Sequence, residues 1–263
     1  MIRLKYKLCS LACLVVLPLP GCDTSPKQAA PREPTKTNTA LPANHFERQL
    51  QHGEAKWLLF DLDPARVTLM LVGQRADEPQ TFEALAPYLK ERGLTLAVAT
   101  NAGIFGPARQ PMGLHVQDGE ILTPLSTADG DGNFFLKPNG VFWLDDAGVH
   151  VASSEHYAPQ GRLRLATQSG PLLLEHGQIH PGFSPESRSL RLRSAVGVDA
   201  RGHAHLAISL GQVSFYNAAT LFRDVIGCPD ALYLDGEISE VMAPRHLPTK
   251  AHAYAALLVA TWR

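Results

Sequence analysis

The sequence has little excess charge of either sign and few cysteines. Lys plus Arg number 24 and Asp plus Glu number 25, which gives a formal net charge of −1. Proteins that bind nucleic acid carry basic patches that neutralise phosphates, so this balance argues against a nucleic-acid partner. There are only 4 cysteines, and Cys9, Cys13 and Cys22 lie close to the N-terminus. Cys228 therefore has no partner for an internal disulfide, and we expect it to be buried as a small apolar side chain.

The sequence also lacks an apolar run long enough to span a bilayer comfortably. The N-terminal run from Leu8 to Leu19 is too short, and it follows the basic residues Arg3, Lys5 and Lys7. This order is typical of a secretory signal. The run leads into Leu-Pro-Gly-Cys, which ends at Cys22 and resembles the bacterial lipoprotein box. We therefore expect residues 1–21 to be a signal peptide and Cys22 to be lipidated; an ordinary signal peptide with a nearby cysteine is the alternative.

The segment after the lipoprotein box is predicted to be a tether. Residues 22–43 contain four prolines among small and polar residues and almost no large apolar side chain. Such a segment cannot form a core and behaves as an extended linker. A lipidated Cys22 would place the protein in the bacterial cell envelope, anchored to a membrane and facing the periplasm, and Asp23 favours the inner membrane. The remaining residues, 44–263, show no second linker and are predicted to form one domain.

The pattern of residues 44–263 favours an α+β fold with mixed or antiparallel sheets that are rich in hairpins. The sequence has 20 prolines and 21 glycines, which interrupt helices and form turns. Several pairs of short apolar runs flank turns that contain glycine, as expected for hairpins. The spacing of apolar residues predicts two helices, one over Thr81 to Gly93 and one that Asn217 caps and Gly227 ends.

Three predicted strands share one design, since each ends in polar residues and a glycine. These strand ends contain Asn101 and Gly103, Gln168 to Gly170, and Asp235 and Gly236. A fourth segment places Arg193 directly before an apolar strand. Together, these ends would combine a cation, amide and hydroxyl groups and a carboxylate in one cleft. Such a set suits a substrate with an anionic group and several hydroxyls.

These segments also carry a resemblance to a known family. The ordered motifs Asn-Ala-Gly-Ile-Phe from Asn101, Gln-Ser-Gly-Pro from Gln168, Arg-Ser-Ala-Val-Gly from Arg193 and Leu-Asp-Gly from Leu234 resemble the phosphodiester glycosidase family. This family includes the mannose-6-phosphate uncovering enzyme, an N-acetylglucosamine-1-phosphodiester α-N-acetylglucosaminidase. The similarity covers roughly residues 58–262. It is closest to an uncharacterised bacterial branch, here with a lipoprotein signal.

The resemblance implies hydrolysis of the glycosidic bond of a sugar-1-phosphodiester, which releases free sugar and a phosphomonoester. Asp235 would be the catalytic carboxylate, Arg193 a bidentate phosphate clamp, and Asn101 a group that orients a sugar hydroxyl or the attacking water. The predicted substrate-binding residues are Gly103, Phe105, Gln168, Ser169, Gly170, Gly236 and Glu237. The expected substrate is a sugar phosphate or an envelope glycan, with no cofactor and no metal site.

One departure from the family pattern leaves two interpretations of Glu237 open. Many relatives have a run of glycines after the Asp-Gly pair, whereas this chain has Glu237. Glu237 is then either an additional functional carboxylate or a solvated loop residue. The bulkier loop also motivates an alternative function, a non-catalytic envelope lipoprotein that binds glycans on the same fold.

Overall fold

The computed structural model describes residues 46–236 and 238–263, so the predicted signal peptide, Cys22, the tether and Glu237 lie outside the described residues. In chain order the strands are β1 (Glu47–His52), β2 (Ala55–Leu62), β3 (Val67–Val72), β4 (Thr95–Asn101), β5 (His115–Gln117), β6 (Glu120–Thr123), β7 (Gly140–Asp145), β8 (Gly148–Ser153), β9 (Leu165–Ser169), β10 (Leu172–Glu175), β11 (Gln178–Ile179), β12 (Ser194–Val198), β13 (Ala204–Ser209), β14 (Asp230–Asp235), β15 (Val241–Met242) and β16 (Leu257–Trp262). The helices are α1 (Phe82–Glu91) and α2 (Phe215–Thr220), and a π-helical turn (Leu221–Ile226) continues α2.

The strands form three sheets whose described pairings are all antiparallel. The strand orders are β1-β2-β13-β12-β14-β10-β11, β15-β4-β16-β3 and β6-β5-β9-β7-β8. The strand content of 41% and helix content of 12% confirm the predicted α+β class. Neighbours β12 and β14 lie near the middle of the largest sheet, which places the end of β14 beside the start of β12.

One apolar core joins the three sheets. Phe60 of β2, Phe142 of β7 and Leu258 of β16 are fully buried members of the same cluster, and each belongs to a different sheet. Burying such a side chain contributes roughly 1.5–3 kcal/mol, so this shared core holds the sheets in a fixed arrangement. The polar strand ends described below are therefore positioned by a rigid framework.

Helices cover the faces of the seven-stranded and the four-stranded sheet that point away from the shared core. Phe222, in the turn that continues α2, packs with Trp57 and Tyr233 of the seven-stranded sheet. Leu85 of α1 packs with Val259 of the four-stranded sheet. Cys228 is buried beside α2 as a free thiol, as the sequence predicts, and burial raises its pKa. No helix of the described residues is long and apolar enough to cross a membrane.

The predicted start of the second helix was wrong. Ser214, not Asn217, is the N-cap, since the Ser214 side chain accepts the Asn217 backbone N–H at 3.0 Å. The helix therefore begins at Phe215, and it ends at Gly227 as predicted. Two polar residues three positions apart both satisfy the sequence preference for a cap, and only the backbone conformation decides between them.

Two strands were not predicted. β1 is rich in polar side chains and lies at the edge of the seven-stranded sheet, where one side of a strand is not paired. β15 has only two residues, and it pairs with the end of β4 at Thr100. Neither segment has the apolar alternation on which the sequence prediction relied.

Close packing of β12 against the helical layer generates a prediction about Gly197. A Cβ atom at Gly197 would lie 2.5 Å from Cδ1 of Phe222, whereas at Gly211 the nearest atom would be Ala55 Cβ at an ordinary 3.5 Å. We expect Gly197→Ala to lower the free energy of unfolding by about 1–3 kcal/mol through overpacking. Adding Phe222→Leu should recover part of this loss in urea titrations. Equal, small effects of Gly197→Ala and the control Gly211→Ala would contradict this packing.

Candidate active site

The polar strand ends meet at one junction between the sheets. Asn101 is the last residue of β4, Ser194 the first of β12, and Asp235 the last of β14. Nδ2 of Asn101 donates to Oγ of Ser194 at 3.0 Å, and Ser194 lies opposite Asp235 in the β12–β14 register. The predicted convergence of these strand ends is therefore present in the structure.

The junction contains a network of buried hydroxyl and amide groups. Ser194 is fully buried, and its Oγ accepts a hydrogen bond from Oγ of Ser239 at 3.0 Å. Thr100, also fully buried, donates from Oγ1 to the Glu240 carbonyl at 2.8 Å. Buried polar groups are stable only when they are hydrogen-bonded, so these partners fix the orientation of the Asn101 amide. We define Thr100, Asn101, Ser194 and Ser239 as the polar junction.

Asp235 is a partly buried carboxylate at the edge of the polar junction. Its Oδ1 accepts the Gly236 N–H at 2.6 Å, and no ion pair joins Asp235 to another described residue. Loss of hydration raises the pKa of Asp235 to about 6, and the hydrogen bond from Gly236 offsets only part of this rise. A carboxylate whose pKa lies close to neutrality in a site of this kind is a candidate for catalysis.

Arg193 is placed differently from the sequence prediction. The side chain is only 1% exposed, and its Nε and Nη2 donate to the carbonyls of Val213 (2.8 Å) and Ser189 (3.0 Å). Cζ lies 3.6 Å from the centroid of the Phe215 ring, a cation–π contact. With these donors occupied and the guanidinium inaccessible, the bidentate contact with a phosphate does not fit this geometry.

The positive charge of Arg193 is nevertheless not neutralised by a carboxylate of the described residues. Burial lowers the pKa of Arg193 to about 10, so the side chain remains protonated at neutral pH. Nη1 is buried without a hydrogen-bond partner in the described part of the chain. Charges interact more strongly in a poorly hydrated interior than in water, so this cation contributes positive potential to its surroundings.

Tyr233 connects Arg193 with Asp235, and the sequence analysis missed it. Its ring centroid is 5.4 Å from Cζ of Arg193, and its hydroxyl interacts with Arg193 and with the side chain of Asn133. Burial and the nearby charge of Asp235 raise the pKa of Tyr233 well above its ordinary value. The available signal was its position in β14, two residues before Asp235. Ser194 and Ser239 were also missed, although Ser194 stands inside a recognised motif.

Gln168 belongs to the framework instead of the substrate-binding surface. Oε1 accepts the backbone N–H groups of Leu114 and Ser126, both at 2.9 Å. Nε2 donates to the Ser126 carbonyl at 2.7 Å and to Oγ of Ser154 at 2.9 Å. A side-chain amide has two donor hydrogens and two acceptor positions, so none remains for a sugar hydroxyl. This corrects the predicted role of Gln168.

Other parts of the protein also surround three further predicted binding residues, Ser169, Gly170 and Gly103. Oγ of the fully buried Ser169 donates to the Leu234 carbonyl at 2.9 Å, which ties the end of β9 to the end of β14. A Cβ atom at Gly103 would lie 2.3 Å from the carbonyl oxygen of Gln168, and one at Gly170 would lie 2.7 Å from that of Phe134. The close approaches at these glycines are therefore to neighbouring backbone, and a substrate contact for them stays a prediction.

The remaining predicted site residues are Gly236, Phe105 and Glu237, and they differ in burial and in whether the structure describes them. Gly236 is buried, and a Cβ atom there would lie 2.6 Å from the Tyr233 hydroxyl, so the backbone must approach this phenol closely. Phe105 is partly buried and packs against the cluster beneath α1. Glu237 lies outside the described residues, as does Cys22. Within the described ranges, no group of three or more His, Cys, Asp or Glu side chains could hold a metal ion.

Comparisons with known proteins agree on a family. The family model described as "NAGPA: Phosphodiester glycosidase" matches residues 95–256, a range that includes the polar junction and Asp235. The uncharacterised protein YigE of Escherichia coli K12 is 32% identical over 161 residues, which cover 61% of this chain and 63% of YigE. The chain thus matches less than two thirds of the length of that curated relative.

Solved structures show a similar fold at low sequence identity. The zebrafish N-acetylglucosamine-1-phosphodiester α-N-acetylglucosaminidase catalytic domain, auto-inhibited by its pro-peptide, superposes with a TM-score of 0.57 at 17% identity, covering 81% of each chain. A hypothetical protein from Synechocystis gives a TM-score of 0.51 at 15% identity, covering 82% of this chain and 61% of its own. At these identities the likeness concerns the fold alone.

The raised pKa of Asp235 predicts an unusual effect of Asp235→Asn on stability. Because the pKa in the folded protein, about 6, exceeds the ordinary value of 3.8, ionisation of Asp235 destabilises the fold as pH rises from about 4 through 6. At pH 7.5 we expect Asp235→Asn to raise the free energy of unfolding by up to about 3 kcal/mol, and the difference should vanish below pH 4.

Urea titrations at several pH values measure this difference. The exposed Asp131 provides the control, and Asp131→Asn should change stability little at any pH. A difference between Asp235→Asn and the unmodified protein that does not depend on pH would contradict the placement of Asp235.

Proposed function

The chain belongs to the phosphodiester glycosidase family, and from this premise we propose that it hydrolyses the glycosidic bond of a sugar-1-phosphodiester. The products would be a free sugar and a phosphomonoester. The observation that carries the proposal is the Asp235 carboxylate, partly exposed beside the polar junction, with a pKa raised to about 6. At neutral pH this carboxylate is mostly ionised and has no cation bound to it among the described residues.

The chemistry of the leaving group explains why one carboxylate is central. Cleavage at the anomeric carbon expels a phosphate monoester, whose second pKa of about 6 makes it a far better leaving group than a sugar alkoxide. A strong general acid is therefore less necessary than in most glycosidases. The developing positive charge on the sugar requires a nearby anion, and Asp235 supplies it as nucleophile, electrostatic stabiliser or base for a water molecule.

Asn101 and Arg193 support this carboxylate in different ways. The Asn101 amide is 1% exposed and bonded to Ser194, so it fixes the geometry of the junction beside Asp235. Arg193 acts through the electrostatic potential of a buried cation, with Tyr233 between it and Asp235. That potential favours the departing negative charge on the phosphate. Both residues are positioning residues in this proposal.

We further propose that the enzyme works in the bacterial envelope on a sugar phosphate or a phosphate-containing glycan. The support is the sequence alone: the signal at residues 1–21, Cys22 in a lipoprotein box, and the tether through residue 43. The tether would separate the domain of residues 44–263 from the membrane and leave its site accessible to periplasmic substrates.

Activity measurements with a panel of sugar-1-phosphodiesters test the proposal. We expect Asp235→Asn to lower kcat by about 10²–10⁴-fold while the variant remains folded, because the charge opposite the transition state is lost. The kcat/KM of the unmodified enzyme should fall on the acid side of about pH 6, since the carboxylate form is required and the Asp235 pKa has that value. Arg193→Met should lower kcat more than it raises KM.

The exposed control Asp131→Asn should retain the activity of the unmodified enzyme. Full activity in folded Asp235→Asn would refute the assignment of the carboxylate. Binding of envelope glycans without turnover, unchanged by Asp235→Asn, would instead favour a non-catalytic glycan-binding lipoprotein.

A further inference from the structure

A cavity of about 420 Å³ adjoins the polar junction and has no assigned role. Two serines in its lining contact residues at the start of β12 or directly before it. Oγ of Ser239 donates to Oγ of Ser194 at 3.0 Å, and Oγ of Ser209 accepts the Arg193 backbone N–H at 2.8 Å. The cavity is therefore one hydrogen bond away from the residue that lies opposite Asp235 in the sheet.

Part of the wall of this cavity is apolar. Leu58, Ile208 and Val241 form part of the lining and belong to the central core. Two further leucines in the lining, Leu210 and Leu247, are 49% and 75% exposed. Large apolar side chains are seldom exposed together without a function, and these two are among only five such residues in the described ranges.

The cavity wall contains an exposed cation. Arg245 in the lining forms no ion pair with another described residue, whereas Lys250 in the lining already has a partner and Glu240 contributes a carboxylate. The Glu240 carboxylate in the lining holds the chain in place: its Oε1 accepts hydrogen bonds from Thr249 N, Thr249 Oγ1 and Lys250 N at 2.8–3.0 Å. It therefore stabilises the Leu247–Lys250 segment, which forms one wall of the cavity.

We propose that this cavity binds the leaving group of the substrate, and that this group is a phosphomonoester that carries an apolar chain. Arg245 would contact the phosphate, and Leu210 and Leu247 would cover the first methylene groups of the chain. This inference rests on the proposed function, and it assigns the phosphate contact that the buried Arg193 cannot make directly. The expected substrate is therefore of the sugar-phospholipid type, and a sugar phosphate on a polar carrier is not expected to fill the cavity.

A second cavity of equal volume gives a useful contrast. It shares the Leu247–Lys250 segment with the first cavity and is otherwise lined by Thr81, Phe82 and Met242 among others. Neither Ser209 nor Ser239 contributes to its lining, so it lacks the connection with the polar junction. Of the two cavities, the first is therefore the one that adjoins the polar junction.

Binding to the Asp235→Asn protein tests the cavity without requiring turnover. Isothermal titration calorimetry would compare octyl phosphate, glycerol phosphate and octanol at concentrations below micelle formation. We expect octyl phosphate to bind at least about tenfold more tightly than either of the others, because only it offers both a phosphate and a chain. Leu247→Ser and Arg245→Gln should each weaken this binding about threefold or more.

The matched control is Ile121→Ser, which removes another exposed apolar side chain, 62% exposed, from β6 in a different sheet. It should leave octyl phosphate binding and turnover unchanged. Octyl phosphate that binds no more tightly than glycerol phosphate, or equally to Leu247→Ser and the Asp235→Asn parent, would overturn the cavity assignment.

Kinetics with two matched substrates separate this inference from the proposed function. Octyl and methyl diesters of one sugar-1-phosphate should differ by about tenfold in kcat/KM in favour of octyl, and Leu247→Ser should reduce that ratio. Equal hydrolysis of both diesters would refute the cavity assignment while supporting the glycosidase. Specific octyl phosphate binding with no hydrolysis of any diester would refute the glycosidase while supporting the cavity as an amphiphile site.

Discussion

The hydrogen bond between Asn101 and Ser194 joins the four-stranded sheet to the seven-stranded sheet at the edge of an otherwise apolar core. Both side chains are buried, where the loss of a hydrogen bond costs about 1–3 kcal/mol. Ser169 makes the corresponding connection from the five-stranded sheet, through the Leu234 carbonyl. These two contacts bring the ends of β4, β9, β12 and β14 to one place, where Asp235 is partly buried. The position of the Asp235 carboxylate thus depends on the hydrogen bonds that join the three sheets.

The same contacts between the sheets hold Asp235 and Arg193 in positions where burial changes their pKa values. Partial burial raises the pKa of Asp235, and burial lowers that of Arg193, yet both groups remain charged at neutral pH. Neither forms an ion pair with another described residue, so the fold contains two buried or partly buried charges that are incompletely compensated. An arrangement that lowers stability in this way is typical of a functional site, where preorganised charge favours a transition state. In this account the buried Arg193 contributes positive potential, while Arg245 contacts the phosphate from the cavity.

Patterns that depend on neighbouring residues in the chain were predictable. Apolar strands that end in polar residues and glycine indicated where Asn101 and Asp235 would meet, and glycine turns indicated the hairpins. Features that depend on distant partners were not. Gln168 is a candidate ligand in its motif, but its hydrogen bonds reach Leu114 and Ser126, 54 and 42 positions away, and these saturate the amide. Likewise, the aromatic contact of Arg193 requires Phe215, which no local pattern links to it. The motif order located the site, whereas the role of each side chain required the packing.

The central claim is that the bond between the anomeric carbon and oxygen breaks, with Asp235 beside that carbon. Hydrolysis of a sugar-1-phosphodiester in ¹⁸O-labelled water, followed by mass spectrometry of both products, tests it most directly. The account predicts that the label enters the released sugar and that the phosphomonoester carries none. Label in the phosphomonoester would show cleavage of the phosphorus–oxygen bond, and it would contradict a glycosidase.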